Sequence, residues 1–581
     1  MVNKEKVNLE EMRHTAAHLL AAAVKDLYPE AKPTLGPPVE DGFYYDFDNL
    51  NLAQDDLLKL EKKMKRLVPN WTEFEHRELS EKEARVLFSG NEYKLELIRD
   101  ITAKGEAITI YTSGGFTDLC RGGHVRNPSK ELKHFALLSI AGAYWRGDEK
   151  NKMLTRIYGT AFADKKELEE FLQMREEAKK RDHRKLGKEL DLFTFSPLVG
   201  SGLPLFTPRG TVIRRELENF VQSLQEPLGY QRVWIPHIAK SDLYKTSGHW
   251  DKFENDLFHV RGKGETKFVM KPMNCPHHSQ LYASRPRSYR DLPLRFSEVT
   301  TCYRDEQPGE LLGLSRVRGF TQDDAHVFCR PDQIEEEVKR VYQIIDRFYE
   351  VFDFEMSVRL SLRDPGVPEK YLGTDEVWEE SQATLRKILT DRNVDFYQAE
   401  GEAAFYGPKI DFMLRDSLKR KWQLATVQLD FNMPNRFNLT YIDQDGSEKT
   451  PVKIHRAILG SIERFMSILL EHYAGALPLW LSPTQVSVLP ISDEQAEHGR
   501  HIMNDLREVG IRAEIDDRGE SIGKKIRDAQ MMRVPVMLVV GKKEVESGTV
   551  AVRTRWGQDE GAKTLEEVRE DLLEKTETKS N

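Results

Sequence analysis

Cysteine is scarce: four residues in a chain of 581, too far apart to read as a disulfide framework. That scarcity points to a reducing compartment, so the chain is expected to be cytoplasmic. No apolar run approaches the roughly 18 residues that a membrane-spanning helix requires. The opening Met1-Val2-Asn3-Lys4-Glu5 carries no apolar signal segment. The glycines form neither the Rossmann nor the Walker phosphate-binding pattern, which counts against the commonest ATP-binding folds. A net charge of −8 gives no global attraction to nucleic acid, so any RNA contact must come from local basic patches. What remains, 39% hydrophobic and 31% charged residues, describes a soluble chain with several cores, about four domains at roughly 150 residues each.

Residues 8–27 read as an amphipathic helix with Met12, Leu19, Leu20, Ala23, Val24 and Leu27 on its apolar side. His14 and His18, four apart, share one face of it. A Gly-rich stretch from Gly114 to His124 places Cys120 and His124 four apart as well. Two site types fit such a set: tetrahedral Zn²⁺, or side chains that position a water for hydrolysis. Residues 164–190 read as one long helix, acidic early and basic late, a solvated connector whose basic half is able to brace RNA. A Gly/Pro loop from Pro197 to Gly210 opens a new domain, followed by a helix from Thr211 and a strand over Gln231–Pro236. Cys302 to His326 reads as two strands joined at Gln307-Pro308-Gly309, with Arg304, Asp305 and Glu306 on the first and Arg316, Arg318, Gln322, Asp324 and His326 on the second. The return strand interleaves its charges with Val317, Phe320, Ala325 and Phe328, and charges in an apolar sheet need a ligand or a partner. Cys275, among prolines and histidines, is a better candidate ligand than Cys302 or Cys329. Further on, Ala404–Ile410 and Trp422–Phe431 read as strands, and His455–Phe465 as an apolar helix. From Pro483 the pattern is βαβαβ, which implies a mainly parallel or mixed sheet.

The 302–326 hairpin resembles motif 2 of the class II aminoacyl-tRNA synthetases, and the run R-V-R-G-F-T-Q-D-D-A-H is similar to the threonyl-tRNA synthetase family. The helix and strand at 211–236 resemble motif 1, and His455–Phe465 resembles motif 3. About residues 1–160 resemble that family's editing domain, and the C-terminal region resembles the anticodon-binding domain of several class II synthetases. The resemblance implies an α+β multidomain chain: an editing domain over 1–160, a linker helix over 161–196, an antiparallel-sheet catalytic domain over 197–482 and an α/β anticodon-binding domain over 483–581. In bacterial members a small ubiquitin-like domain precedes the editing module. Here the helix holding His14 begins almost at once, so that domain is expected to be missing.

The same resemblance implies the site. Arg304 and Arg464 neutralise phosphate charge, with Glu306, Arg316, Gln423 and Ser461 completing the ATP site and Mg²⁺ bridging phosphates. Gln322, Asp324, Tyr406 and Lys409 line the threonine site, and Gln428 stands beside the reacting groups. Cys275, His326 and His455 hold one Zn²⁺ with open coordination. His14, His18, Lys94, Asp118, Cys120 and His124 form the editing pocket, and Arg533, Glu544 and Arg553 read the anticodon. The family usually carries asparagine where Gly519 stands, so one anticodon contact is expected to be lost or replaced. Motif 1 implies a homodimer, and the implied partners are tRNA(Thr), ATP and threonine, with no membrane. An RNA-binding regulator that had lost catalysis would lack Arg304, Arg464 or a zinc ligand, and all are present. A freestanding metal-dependent hydrolase centred on His14 and His18 leaves residues 197–581 without a role.

Overall fold

The computed structural model describes residues 8–148 and 150–580; the opening stretch read above for a signal segment lies outside them. The chain forms two compact units, Met1–Glu176 and Glu177–Asn581.

In the first unit the helix Leu9–Leu27 starts where Asn8 Oδ1 accepts the backbone N–H groups of Glu10 and Glu11. Its alanines allow close approach, and Ala16, Leu19, Leu20, Ala23 and Val24 are buried against Phe43, Tyr45 and Phe47. Leu27, assigned above to the apolar side, is 41% exposed at the last position of the helix. The sheet beneath runs Lys32–Pro33, Gly42–Asp48, Met153–Phe162, His134–Tyr144, all antiparallel. A second small sheet, Glu75–Leu79, Ile108–Ser113 and Phe116–Leu119, brings Asp118 and Cys120 toward the helix.

The expected single helix over 164–190 is two helices, Lys165–Lys180 and His183–Glu189. Asp182 starts the second by accepting the Arg184 N–H at 2.8 Å. The break turns His183 inward, so this part of the connector is packed rather than solvated.

The second unit is built on an eight-stranded sheet. Its order is Gln231–Arg232, Leu294–Tyr303, Gly319–Cys329, Val452–Ala457, Lys421–Asp430, Lys409–Arg415, Glu355–Leu362, Phe396–Glu400, antiparallel except for the pair at each edge. The helices Pro208–Gln225, Ile334–Glu350 and Ile462–His472 share its core through Ile213, Leu217, Val341, Phe348 and Phe465. Register does the positioning. His326 faces His455, His455 faces Gln428, and Gln428 faces Lys409, so four polar side chains form one row across four strands.

Three sequence readings change here. The first strand of the hairpin ends at Tyr303 and the second begins at Gly319, so Arg304, Asp305, Glu306, Arg316 and Arg318 lie in the connection. That connection is held by one further backbone bond, from the Arg304 N–H to the Arg318 carbonyl at 2.9 Å, by side-chain bonds and by a Leu312–Arg316 bridge. His455 lies on a strand, not a helix; the helix begins at Ile462, capped by Ser461, whose Oγ accepts the Arg464 N–H at 3.2 Å. Only Gln231–Arg232 of the 231–236 segment pairs as a strand.

The C-terminal sheet is mixed: Ala513–Ile515, Val486–Pro490 and Val536–Val540 run parallel, and Thr549–Thr554 and Asp559–Thr564 return antiparallel. Its longer helices are Ala496–Glu508, Ile522–Met531 and Leu565–Thr578. The short helix Lys542–Ser547 and the outer strand Asp559–Thr564 were not read from the sequence.

Candidate functional site

Cys275 opens the helix Cys275–Ala283, while His326 and His455 sit opposite one another on neighbouring strands. The ligand atoms of the three lie within 4.8 Å of one another, and all three residues are buried. His326 Nε2 and His455 Nδ1 approach to 3.0 Å. Their other nitrogens are engaged: His326 Nδ1 with His278 Nδ1 at 2.8 Å, and His455 Nε2 with Asp430 Oδ2 at 2.8 Å. An imidazole fixed from behind by a carboxylate or a second ring is how metal-ligating histidines are oriented. Burial holds both imidazoles below their ordinary pKa, hence neutral and able to ligate, and it pushes the Cys275 thiol up. Only a cation would favour a thiolate there, and one sulfur with two imidazoles suits zinc. The residues present therefore fit the group.

Asp324 stands beside this trio, its Oδ1 3.8 Å from His326 Nε2 and its Oδ2 accepting the Asn274 amide at 3.0 Å. Burial raises its carboxyl to about 7. Tyr406 stacks on His455 with ring centroids 4.6 Å apart and donates its hydroxyl to Gln428 Oε1. Asn274, Asp430, His278 and His249, whose Nε2 lies 3.5 Å from Cys275 Sγ, were not singled out by sequence reasoning. Asp430, His278 and His249 each support one of the trio from elsewhere in the chain, and Asn274 holds Asp324.

The basic side lies at the hairpin connection. Arg304 sits between the rings of Phe253 and Phe320, with Nη2 on Met273 Sδ at 3.1 Å and Nε without a hydrogen-bond partner among the described residues. Arg316 pairs with Glu306 at 2.7 Å and with Glu310 at 3.0 Å. Arg464 donates to the Ser315 carbonyl at 3.0 Å. Desolvation first, then the charges of Arg304 and Arg316, hold Arg464 below its ordinary pKa, so the three guanidiniums feel one another. Such a cluster favours a polyanion. Gln322 pairs through an isolated bridge with Ser461, and its Oε1 is buried without a partner among the described residues.

Behind Lys409 lies a residue the sequence did not flag. Asp411 is fully buried; its Oδ1 accepts from Gln423 Nε2 and Thr426 Oγ1, each at 2.9 Å. Its Oδ2 accepts from Ser361 at 2.7 Å, Arg359 at 3.0 Å and Lys409 at 3.1 Å. Thr426 in turn accepts from Gln428 Nε2 at 3.3 Å. One carboxylate thus orients Lys409 and Gln423 directly and Gln428 through a hydroxyl.

In the first unit His14, His18, Cys120 and His124 also bring their ligand atoms within 4.8 Å of one another. Cys120 Sγ lies 3.3 Å from His124 Nε2 and 3.6 Å from His14 Nε2. Lys94 Nζ meets Asp118 Oδ1 at 2.5 Å, and Tyr45, which sequence reasoning missed, bonds both: its hydroxyl donates to Asp118 and accepts from Lys94 at 3.3 Å. A cavity of about 430 Å³ is lined by His14, His18, Tyr45, Lys94, Asp118 and Cys120; His124 stands behind Cys120 rather than on its wall. Burial lifts the Cys120 thiol to about 11 and drops His124 to about 2, so at neutral pH the pocket holds a thiol and neutral rings. A thiol so far from its thiolate is a poor nucleophile.

The three expected anticodon residues lie on separate elements. Arg533 follows the helix Ile522–Met531 with φ +56°, Glu544 accepts the Gly541 N–H at 2.9 Å, and Arg553 pairs with Asp559 at 2.9 Å. Glu544 and Arg553 are therefore already engaged within the domain.

Three family models match the chain: the tRNA synthetase class II core domain (G, H, P, S and T) over residues 258–473, the anticodon binding domain over 485–575, and the threonyl and alanyl tRNA synthetase second additional domain over 108–158. A threonine–tRNA ligase of Staphylococcus aureus (strain JH9) is 50% identical over 556 residues, 95% of this chain and 86% of that one. A crystal structure of the RNA binding domain of the threonyl-tRNA synthetase from Cryptosporidium parvum Iowa II aligns with a TM-score of 0.65 at 38% identity, covering 68% of this chain and 98% of that one. With the class II sheet, the arginine cluster and the Cys-His-His trio in place, the chain belongs to the threonyl-tRNA synthetase family.

Proposed function

We propose that this chain activates threonine with ATP, transfers it to tRNA(Thr), and hydrolyses tRNA mischarged with serine. The observation that carries the reading is the convergence of Cys275, His326, His455 and Asp324 on the sheet that also supports the Arg304, Arg316 and Arg464 cluster. Arg304 and Arg464 neutralise charge at the α- and γ-phosphates, and Glu306 with Arg316 holds the nucleotide. Catalysis at an α-phosphate is largely positioning and charge neutralisation, which preset guanidiniums supply. Lys409, Gln423 and Gln428, oriented by Asp411, face the reacting carboxylate and phosphate, with Mg²⁺ accompanying ATP.

Cys275, His326 and His455 would hold zinc, which when bound would supply Lewis-acid recognition of the polar groups that threonine carries. Asp324 accepts the hydroxyl proton. Valine lacks that oxygen, and an apolar pocket separates such isosteres poorly. Serine keeps both groups and differs by one methyl, worth roughly 10- to 200-fold, so a second hydrolytic site is needed. The Cys120 pocket suits this hydrolysis, because His14, His18 and Asp118 hold a water there and the extra methyl of threonine is excluded by size. The raised Cys120 thiol favours water over sulfur as the attacking group. The enzyme works in the cytoplasm as a two-fold dimer through the 211–236 region, where Trp234 is 76% exposed. Pyrophosphate exchange measured against each amino acid tests the assignment. Exchange dependent on threonine, weak with serine and absent with valine is expected, and exchange driven by another amino acid would overturn it.

A further inference from the structure

The short helix His183–Glu189 lies near the start of the second unit, and its first side chain is almost inaccessible at 3% exposure. Both ring nitrogens of His183 are engaged. Nδ1 lies 2.6 Å from Glu471 Oε1, which also accepts the His183 backbone N–H at 3.1 Å. Nε2 lies 3.0 Å from the backbone nitrogen of Leu314. A backbone N–H can only donate, so Nε2 supplies a lone pair and the proton sits on Nδ1, where Glu471 accepts it. Burial would raise the Glu471 carboxyl, but the bonds from His183 and the charge of Arg420 hold it below its ordinary value, as an ionised acceptor requires. Asp182, His183 and Glu471 place ligand atoms within 4.8 Å of one another, as a metal set would, yet the Nε2 lone pair is already spent on Leu314.

Leu314 is fully buried within the 304–318 connection that carries the nucleotide-binding side chains. Its neighbour Ser315 accepts Arg464 Nε through its carbonyl, and its hydroxyl meets that of Ser467 at 2.9 Å. The next residue, Arg316, pairs with Glu306. Three consecutive residues are thus tied to the linker helix, to Arg464 and to Glu306. On the other side of Leu314, Gly313 has φ +51°, and a Cβ there would lie 2.2 Å from His183 Nε2. The loop rests directly on the imidazole.

We propose that His183 is a positioning residue for the nucleotide site: by accepting the Leu314 N–H it seats the return arm of the loop and thereby aligns Arg316 and Arg464. The proposal rests on the assignment of those arginines to ATP. A space-filling role for the ring predicts lower stability and nothing more; a positioning role predicts a specific loss in ATP use.

Two variants of the full chain separate these. In His183→Phe the ring volume stays and both polar contacts go. Amide hydrogen exchange at Leu314 should then accelerate at least about tenfold, and KM for ATP should rise on the order of tenfold while KM for threonine stays within about twofold. In His183→Gln the amide oxygen can accept from Leu314 and the amide nitrogen can donate to Glu471, so both readouts should return most of the way to the parent. Gly313→Ala crowds the same ring from the loop side and should also raise KM for ATP selectively, which gives a reading if the phenylalanine variant does not fold. Unchanged exchange at Leu314 in His183→Phe overturns the seating of the loop. Faster exchange with an unchanged KM for ATP overturns its link to the nucleotide. If the parent shows no ATP-dependent pyrophosphate exchange, it is the assigned activity that fails, and hydrogen exchange still decides whether His183 holds the loop.

Discussion

Asp411→Asn replaces one carboxylate oxygen by an amide nitrogen at a site where five donors converge. Either orientation of the amide fails. With the oxygen kept toward Ser361, Arg359 and Lys409, the new NH₂ faces Gln423 and Thr426, and the bonds from Arg359 and Lys409 lose the charge of their acceptor. Each such weakening is worth about 1 kcal/mol, and a buried donor left without an acceptor costs about 1–3 kcal/mol. Thr426 can rotate its hydroxyl, but Gln423 cannot flip freely, because its Oε1 already accepts Arg359 Nη2 at 2.9 Å. Arg359 keeps a second partner in Glu402 at 3.0 Å, which limits the loss. The sum is about 3–5 kcal/mol, in line with breaking a buried ion pair from one side. If about 3 kcal/mol of it falls on Lys409 and Gln423 as transition-state contacts, kcat/KM for pyrophosphate exchange drops roughly a hundredfold. The assay is threonine-dependent exchange at saturating ATP, beside urea unfolding of the same protein. A variant within tenfold of the parent in kcat/KM and within about 1 kcal/mol in stability would refute the view that this carboxylate organises the site.

Arg304→Ala should cut exchange by more than about tenfold with little change in unfolding midpoint, since Arg304 makes no ion pair among the described residues; retained activity would remove it from its role. Metal analysis should find one zinc per chain, and Cys275→Ala should lose both the metal and threonine-dependent exchange; active protein without zinc would contradict the ligand assignment. His14→Ala combined with Cys120→Ala should leave threonylation near the parental rate and let Ser-tRNA accumulate when serine is supplied; parental clearance of preformed Ser-tRNA would rule out this pocket as the editor. Light scattering at micromolar concentration should give twice the chain mass, and a monomer would count against the dimer.

What could be read in advance follows from how local the cause is. The helix Leu9–Leu27 has a capping asparagine and an apolar face within its own sequence, so its position was legible. Cys275, His326 and His455 were found because their neighbours carry a family pattern, although they stand on three separate elements. The break at Asp182 was not legible. The 164–190 stretch is charged throughout, and what stops the helix is a histidine that finds Glu471 some 288 residues later. Asp411 was missed for the same reason: in sequence it is one acidic residue in an alternating strand, and only the register shows the donors around it. The arginines of the 304–318 connection were placed on strands because alternation continues past Tyr303, whereas the ladder stops there. Asp559–Thr564 gave no strand signal, since an edge strand with both faces wet needs no apolar residue.

That last strand has a consequence for association. A sheet edge offers a row of unpaired backbone groups, a template for a strand from another chain. In the C-terminal sheet one edge is the three-residue strand Ala513–Ile515, too short to recruit much. The other is Asp559-Glu560-Gly561-Ala562-Lys563-Thr564, almost wholly exposed, with Lys563 paired to Glu560 and Gly561 at φ +83°. A strand docking there would have to strip water from three charged side chains and follow a kinked backbone, for backbone bonds that water already supplies. The composition that hid this strand from sequence reading is thus what keeps the sheet from growing edge to edge into aggregates.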